Sequence, residues 1–141
     1  MTRQLAVAAP SRTVVALGVA GAGLGTAVSW LDLYLLSSAR DQCVVGMTAF
    51  ENSGMLVFSV QPVLWAVNFL AFTLLYAGLF PLFLNGDTAG ARFAGMVACV
   101  LLTAVLVAAS VWISMAVWSP EQVAPGCAGG HPPWWPAWAV L

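Results

Sequence analysis

The chain has 141 residues, 62% of them hydrophobic, with four basic and five acidic side chains and a formal net charge of −1. A soluble globular domain carries about a quarter of its residues as charged side chains, so this composition excludes a water-soluble monomer, and it equally excludes disorder, which needs many charges and few apolar groups. All four basic residues are Arg (Arg3, Arg12, Arg40, Arg92), too few for a nucleic-acid footprint, and a mean hydropathy of +0.95 makes lipid the expected solvent.

Three stretches are long enough to cross a bilayer, which takes ~20 apolar residues. They run over about 13–36, 62–84 and 93–118, and Asp32 is the one charged residue inside them. Lipid offers the backbone no hydrogen bonds, so isolated spans must be helices, and the alternation of a membrane barrel is absent. The expected fold is an all-α membrane protein with three transmembrane helices in a single integral membrane domain over 1–141. A cleaved signal peptide is disfavoured for the first span, because its apolar stretch far exceeds the ~7–15 residues of a signal core.

On the first span Gly18, Gly21, Gly25, Ser29 and Asp32 recur every three or four residues and so share one helix face. Small residues let backbones approach closely where lipid supplies no hydrophobic drive. The face is read first as packing against the other spans of the same chain, and second as an interface to a partner. Asp32 lies about one turn from the end of its span, where a carboxylate costs less than the ~2.5–3.5 kcal/mol of the bilayer centre. Asn68 on the second span and Ser110 or Ser114 on the third lie at similar depth. Gln61 shares the face of Asn68, and Cys99 and Thr103 continue the stripe of Ser110 and Ser114. The sharper expectation is a small outward-facing polar pocket formed by Asp32, Asn68, Ser110 and Ser114 that binds an ion, a proton or a headgroup. The blander one, which is favoured, is an interfacial Asp reaching water while the hydroxyls bond their own helices.

The loop at 37–61 is expected outside, partly in the interface, with a turn of amphipathic helix running into the second span. The short loop at 85–92, with its Asn85-Gly86-Asp87 turn signal, makes the second and third spans an antiparallel hairpin. In the tail at 119–141, prolines prevent a helix and Trp134, Trp135 and Trp138 suit the headgroup layer. Arg3, Arg12 and Arg92 fall at one end of the bundle against Arg40 at the other, which places the N-terminus in the cytoplasm and the C-terminus outside. Trp30, Trp65, Trp112 and Trp118 collect at the other end. Cys43 and Cys127 then both lie where a disulfide persists, and they are expected to pair.

Thiol exchange wants a C-x-x-C pair, which is missing. Cys127 and His131 are two ligands where a metal site usually needs four, so no metal and no cofactor is expected. Axial haem ligands, a nucleophile–base pair and a glycine-rich phosphate loop before a helix are not found in the spans. The lysine-free, Ala-, Gly- and Val-rich composition suggests a high-GC bacterial genome. The expected function is a non-catalytic accessory or scaffold subunit of a complex in the bacterial cytoplasmic membrane. Its partners are the bilayer and a membrane protein or further copies of itself, and no nucleic acid. The alternative is a small oligomeric ion or proton channel or carrier that uses Asp32 and the polar stripe.

Overall fold

Ser11 opens the first helix, α1 (Arg12–Cys43), by accepting the Val14 N–H at 3.3 Å on its hydroxyl, a donor the first turn otherwise leaves unpaired. A computed structural model describes residues 11–46, 48–85, 87–116, 123–136 and 139. Arg3, Gly86, Trp118 and Trp138 lie outside the described residues. Two further helices follow, α2 (Leu56–Leu84) and α3 (Ala89–Ala116), and all three are long and apolar enough to cross a membrane.

α1 runs seven residues beyond the expected end at position 36. Its 32 residues make a rod of about 48 Å, longer than the ~30 Å hydrocarbon core. The extra turns, Ser37 to Cys43, are polar but contain neither Gly nor Pro, so nothing stops the helix when the apolar run stops. Most of the expected loop at 37–61 is therefore helix, because helix is present again at Ala49–Met55 and passes without a break into α2. Thr48 and Glu51 start that helix as a capping box: the Thr48 N–H and hydroxyl donate to Glu51 Oε2 at 2.9 and 2.8 Å, and the Glu51 N–H donates back to Thr48 Oγ1 at 3.3 Å.

Within α2 the backbone widens to π-helical turns at Leu56–Val60 and Leu75–Leu79. Each ends one residue before the pair Gln61–Pro62 or Phe80–Pro81. A proline inside a helix lacks its N–H and its ring presses on the carbonyl four residues back. A widened turn on its N-terminal side accommodates both defects, so the rod continues past each proline. α3 is capped by Thr88, whose hydroxyl accepts the Ala91 N–H at 3.1 Å. A Cβ on Gly95 would collide with the Phe83 carbonyl oxygen, so the two helices touch as an antiparallel hairpin.

The buried apolar cluster sits at the opposite end, where Leu33, Leu36, Ala39, Leu56 and Met115 pack with Leu35, Val60 and Trp135. The tail folds over this cap end. Cys43 and Cys127 form a disulfide with Cα atoms 5.7 Å apart, Val44 bridges Val123, and the Ala124 N–H donates to Cys43 O at 2.9 Å. The Trp112 indole donates to Ala139 O at 3.1 Å and the Trp134 indole to Gln42 Oε1 at 3.0 Å. The described tail has a 3₁₀ turn at Ala128–Gly130 and is otherwise largely irregular.

Candidate functional site: a polar cluster shared by three helices

The glycine face of α1 brings the backbones of α1 and α2 together. A Cβ on Gly21 would lie 2.5 Å from Phe72 O, and one on Gly25 would lie 2.5 Å from Asn68 O, whereas Gly18 sits more loosely, 3.5 Å from Ala77 Cβ. Ser29 continues the seam, its hydroxyl 2.9 Å from Gly25 O of its own helix and 3.2 Å from Leu64 O of α2. Within the chain, Gly21, Gly25 and Ser29 of this face pack against α2. Because α1 repeats every 3.6 residues, the same face carries Asp32 one turn further toward the cap and aims it at α2, level with Asn68.

Asp32, Asn68 and Ser110 meet there, one from each long helix. Asn68 Nδ2 donates to Asp32 Oδ2 at 3.0 Å. Ser110 Oγ lies 2.6 Å from the same oxygen and 2.8 Å from Asn68 Oδ1. Asp32 is 0% exposed and Asn68 3%, so the carboxyl does not reach water as the interfacial reading expected. Its second oxygen, Oδ1, is buried with no hydrogen-bond partner. α1 continues past position 36, so the carboxyl lies well inside the helix rather than near its end, and it meets side chains of both other long helices.

Ser114, expected in the same pocket, stays out of the cluster and donates to Val111 O of its own helix at 2.9 Å. Gln61 is half-buried and takes no part in the cluster's three contacts. Toward the hairpin end the Thr103 hydroxyl donates to Cys99 O at 2.8 Å and lies 3.3 Å from the Tyr76 hydroxyl. Two grooves flank the cluster without being lined by it. One of about 270 Å³ lies beside Trp30, Tyr34, Ser37 and Val57. The other, about 350 Å³, runs between Leu36, Ser59, Val63, Leu64 and Ile113.

Cys127 and His131 do not form a ligand pair, since Cys127 is consumed in the disulfide. The His131 ring is buried against the end of α3 with Nε2 3.2 Å from Met115 O and Nδ1 3.0 Å from Gly129 O, and it stacks on Trp135 at 6.3 Å. Among the described residues no three His, Cys, Asp or Glu side chains gather closely enough to hold a metal ion. The Thr48–Glu51 cap is legible as Thr-Ala-Phe-Glu, but the polar residues around it read as loop. No local signal announces that His131 closes the last turn of α3.

The cluster can share protons and hydrogen bonds among three side chains, and in doing so it fixes the rotation of each helix. Compared with known proteins, the chain matches no family model, no curated protein and no solved structure.

Proposed function

We propose that the protein is a non-catalytic accessory or scaffold subunit of a complex in a bacterial cytoplasmic membrane, crossing it three times with the N-terminus in the cytoplasm and the disulfide-bonded cap outside. The observation that carries this reading is the packing of α3. Only 6% of its most apolar stretch is buried inside the chain, against 22% for α1 and 17% for α2. Val100, Leu101, Val105 and Ile113 are all more than half exposed. Helices in lipid associate by van der Waals fit, and a second polypeptide laid along α3 supplies the packing this chain leaves unmade. The glycine seam already packs α1 on α2, and α3 is the least packed of the three long helices. The orientation is supported by the Arg residues at the hairpin end and by a disulfide at the other.

A photoreactive amino acid placed at Val105 in native membranes tests this. The expected result is one cross-linked product with a different polypeptide that co-purifies in fixed stoichiometry. Cross-linking to further copies of the same chain, together with ion or proton flux from a homogeneous oligomer in liposomes, would overturn it in favour of a channel or carrier.

A further inference from the structure

We propose that the Asp32–Asn68–Ser110 cluster is a proton-holding site: a neutral Asp32 carboxylic acid donates its proton from Oδ2 to Ser110 Oγ and closes a ring of three hydrogen bonds. The number of hydrogens available to the three side chains requires this proton, whatever partner the protein binds. Three contacts join the three side chains, at 3.0, 2.6 and 2.8 Å. Each needs one hydrogen between its atoms. The Asn68 amide supplies one, for its contact with Asp32. Ser110 has a single hydroxyl hydrogen and faces two oxygens, Asp32 Oδ2 and Asn68 Oδ1. With an ionised Asp32 one of those O···O contacts has no hydrogen in it, and two oxygens face each other at bonding distance with lone pairs only.

Exchanging the amide N and O of Asn68 does not remove the shortage. The flipped amide donates to Ser110 and Ser110 donates to Asp32, but Asn68 Oδ1 then faces Asp32 Oδ2 with nothing between them. The missing hydrogen must sit on Asp32 in either case. With the acid protonated, Asp32 donates to Ser110, Ser110 to Asn68, and Asn68 back to Asp32. The ring then runs in one direction and every contact is filled.

Two more observations agree. Asp32 Oδ1 is buried without a partner, an arrangement far more costly for a carboxylate oxygen than for the carbonyl of a neutral acid. Nor does any ionisable side chain of the packed elements face the ring among the described residues. On α1, Arg40 lies about two turns toward the cap with its guanidinium 3.7 Å from Met55 Sδ, and Tyr34 is turned outward at 71% exposure. On α2 the Tyr76 hydroxyl sits against Thr103, and on α3 Cys99 lies about three turns from Ser110. From the tail, His131 faces the carbonyl oxygens of Met115 and Gly129. Loss of the proton must break a contact of Ser110, so the protonation of Asp32 and the attachment of α3 to the other two helices are linked.

Infrared spectroscopy of the full chain in lipid reads the proton directly. Asp41→Asn with Asp87→Asn leaves Asp32 as the sole aspartate, so side-chain ¹³C-aspartate reports on it alone. The expected spectrum at neutral pH has a label-sensitive carbonyl band of a protonated acid that shifts in deuterated water, and no label-sensitive carboxylate bands. Ser110→Ala, which removes the proton's acceptor, is expected to keep that band and move it to higher frequency. In the otherwise unsubstituted chain, the difference spectrum between the parent and Asp32→Asn must show the same band, which guards against a folding defect of the double variant. Carboxylate bands at neutral pH overturn the proposal, and an acid band that Ser110→Ala leaves unmoved overturns the ring.

Discussion

Replacing Asp32 separates its hydrogen bonds from its charge. Asp32→Asn keeps the size, and with a flipped Asn68 all three contacts still contain a hydrogen, so its stability should stay within a few tenths of a kcal/mol of the parent. Asp32→Leu leaves Asn68 and Ser110 facing an alkyl group. Helix–helix hydrogen bonds in membranes average ~0.6 kcal/mol and reach about 1.7, so the expected loss is roughly 1–2 kcal/mol. Thermal unfolding in mild detergent compares the two variants, and a Leu variant as stable as the parent would show that the ring holds nothing together. Glu51 offers a pH test away from the long helices. Bonds from the Thr48 N–H and then from its hydroxyl hold the Glu51 carboxyl below the usual glutamate range. A carboxyl depressed on folding contributes stability above its unfolded value and loses it as pH falls through the folded one. The start of the Ala49–Met55 helix should therefore lose amide-exchange protection on acidification through and below the ordinary glutamate range. Glu51→Gln, which cannot titrate, should show no such change. Equal acid sensitivity in both chains would refute the cap's electrostatic role.

Among the elements, the seam between α1 and α2 distinguishes two glycines of one helix. Gly25→Ala forces a Cβ to within 2.5 Å of Asn68 O, whereas a Cβ on Gly23 meets nothing within 4 Å. Overpacking typically costs 1–3 kcal/mol, and that loss is expected for Gly25→Ala in detergent unfolding. Gly23→Ala should be neutral or stabilising by about 0.5–1 kcal/mol, as alanine replaces glycine in a helix. Similar effects of the two would mean that α1 does not contact α2 through this face. The three-to-four spacing of Gly21, Gly25, Ser29 and Asp32 was legible because helical period is local. The extension of α1 past position 36 was not, because an apolar run marks where lipid ends and says nothing about where a helix ends. The π turns before Pro62 and Pro81 were equally hidden, since a proline alone does not reveal whether the chain breaks or widens.

For the molecule as a whole, the cap and the orientation carry the remaining tests. The Cys43–Cys127 bond closes a loop of 84 residues, worth ~4 kcal/mol in the chain-entropy view. Replacing both cysteines by Ser should lower thermal stability by a matching amount and expose the tail to protease. An unchanged melting temperature would show that the tail is held by Trp112, Trp134 and His131 without it. Orientation is read by adding a cysteine in a Cys99→Ala background that keeps the disulfide. An impermeant reagent on intact cells should label Pro133→Cys and spare Asp87→Cys, and labelling at position 87 would reverse the topology. The number and approximate place of the long helices follow from the sequence, because a run of ~20 apolar residues in lipid has a single way to satisfy its backbone. The shared depth of Asp32, Asn68 and Ser110 also follows, because rise per residue is a fixed length. That Ser110 and not Ser114 meets the carboxyl, that Asp32 and Asn68 are buried, and that His131 closes α3 were decided by the tertiary structure. Those outcomes depend on the tilt and rotation of each helix and on the path of the tail, which packing between distant segments sets and local spacing does not.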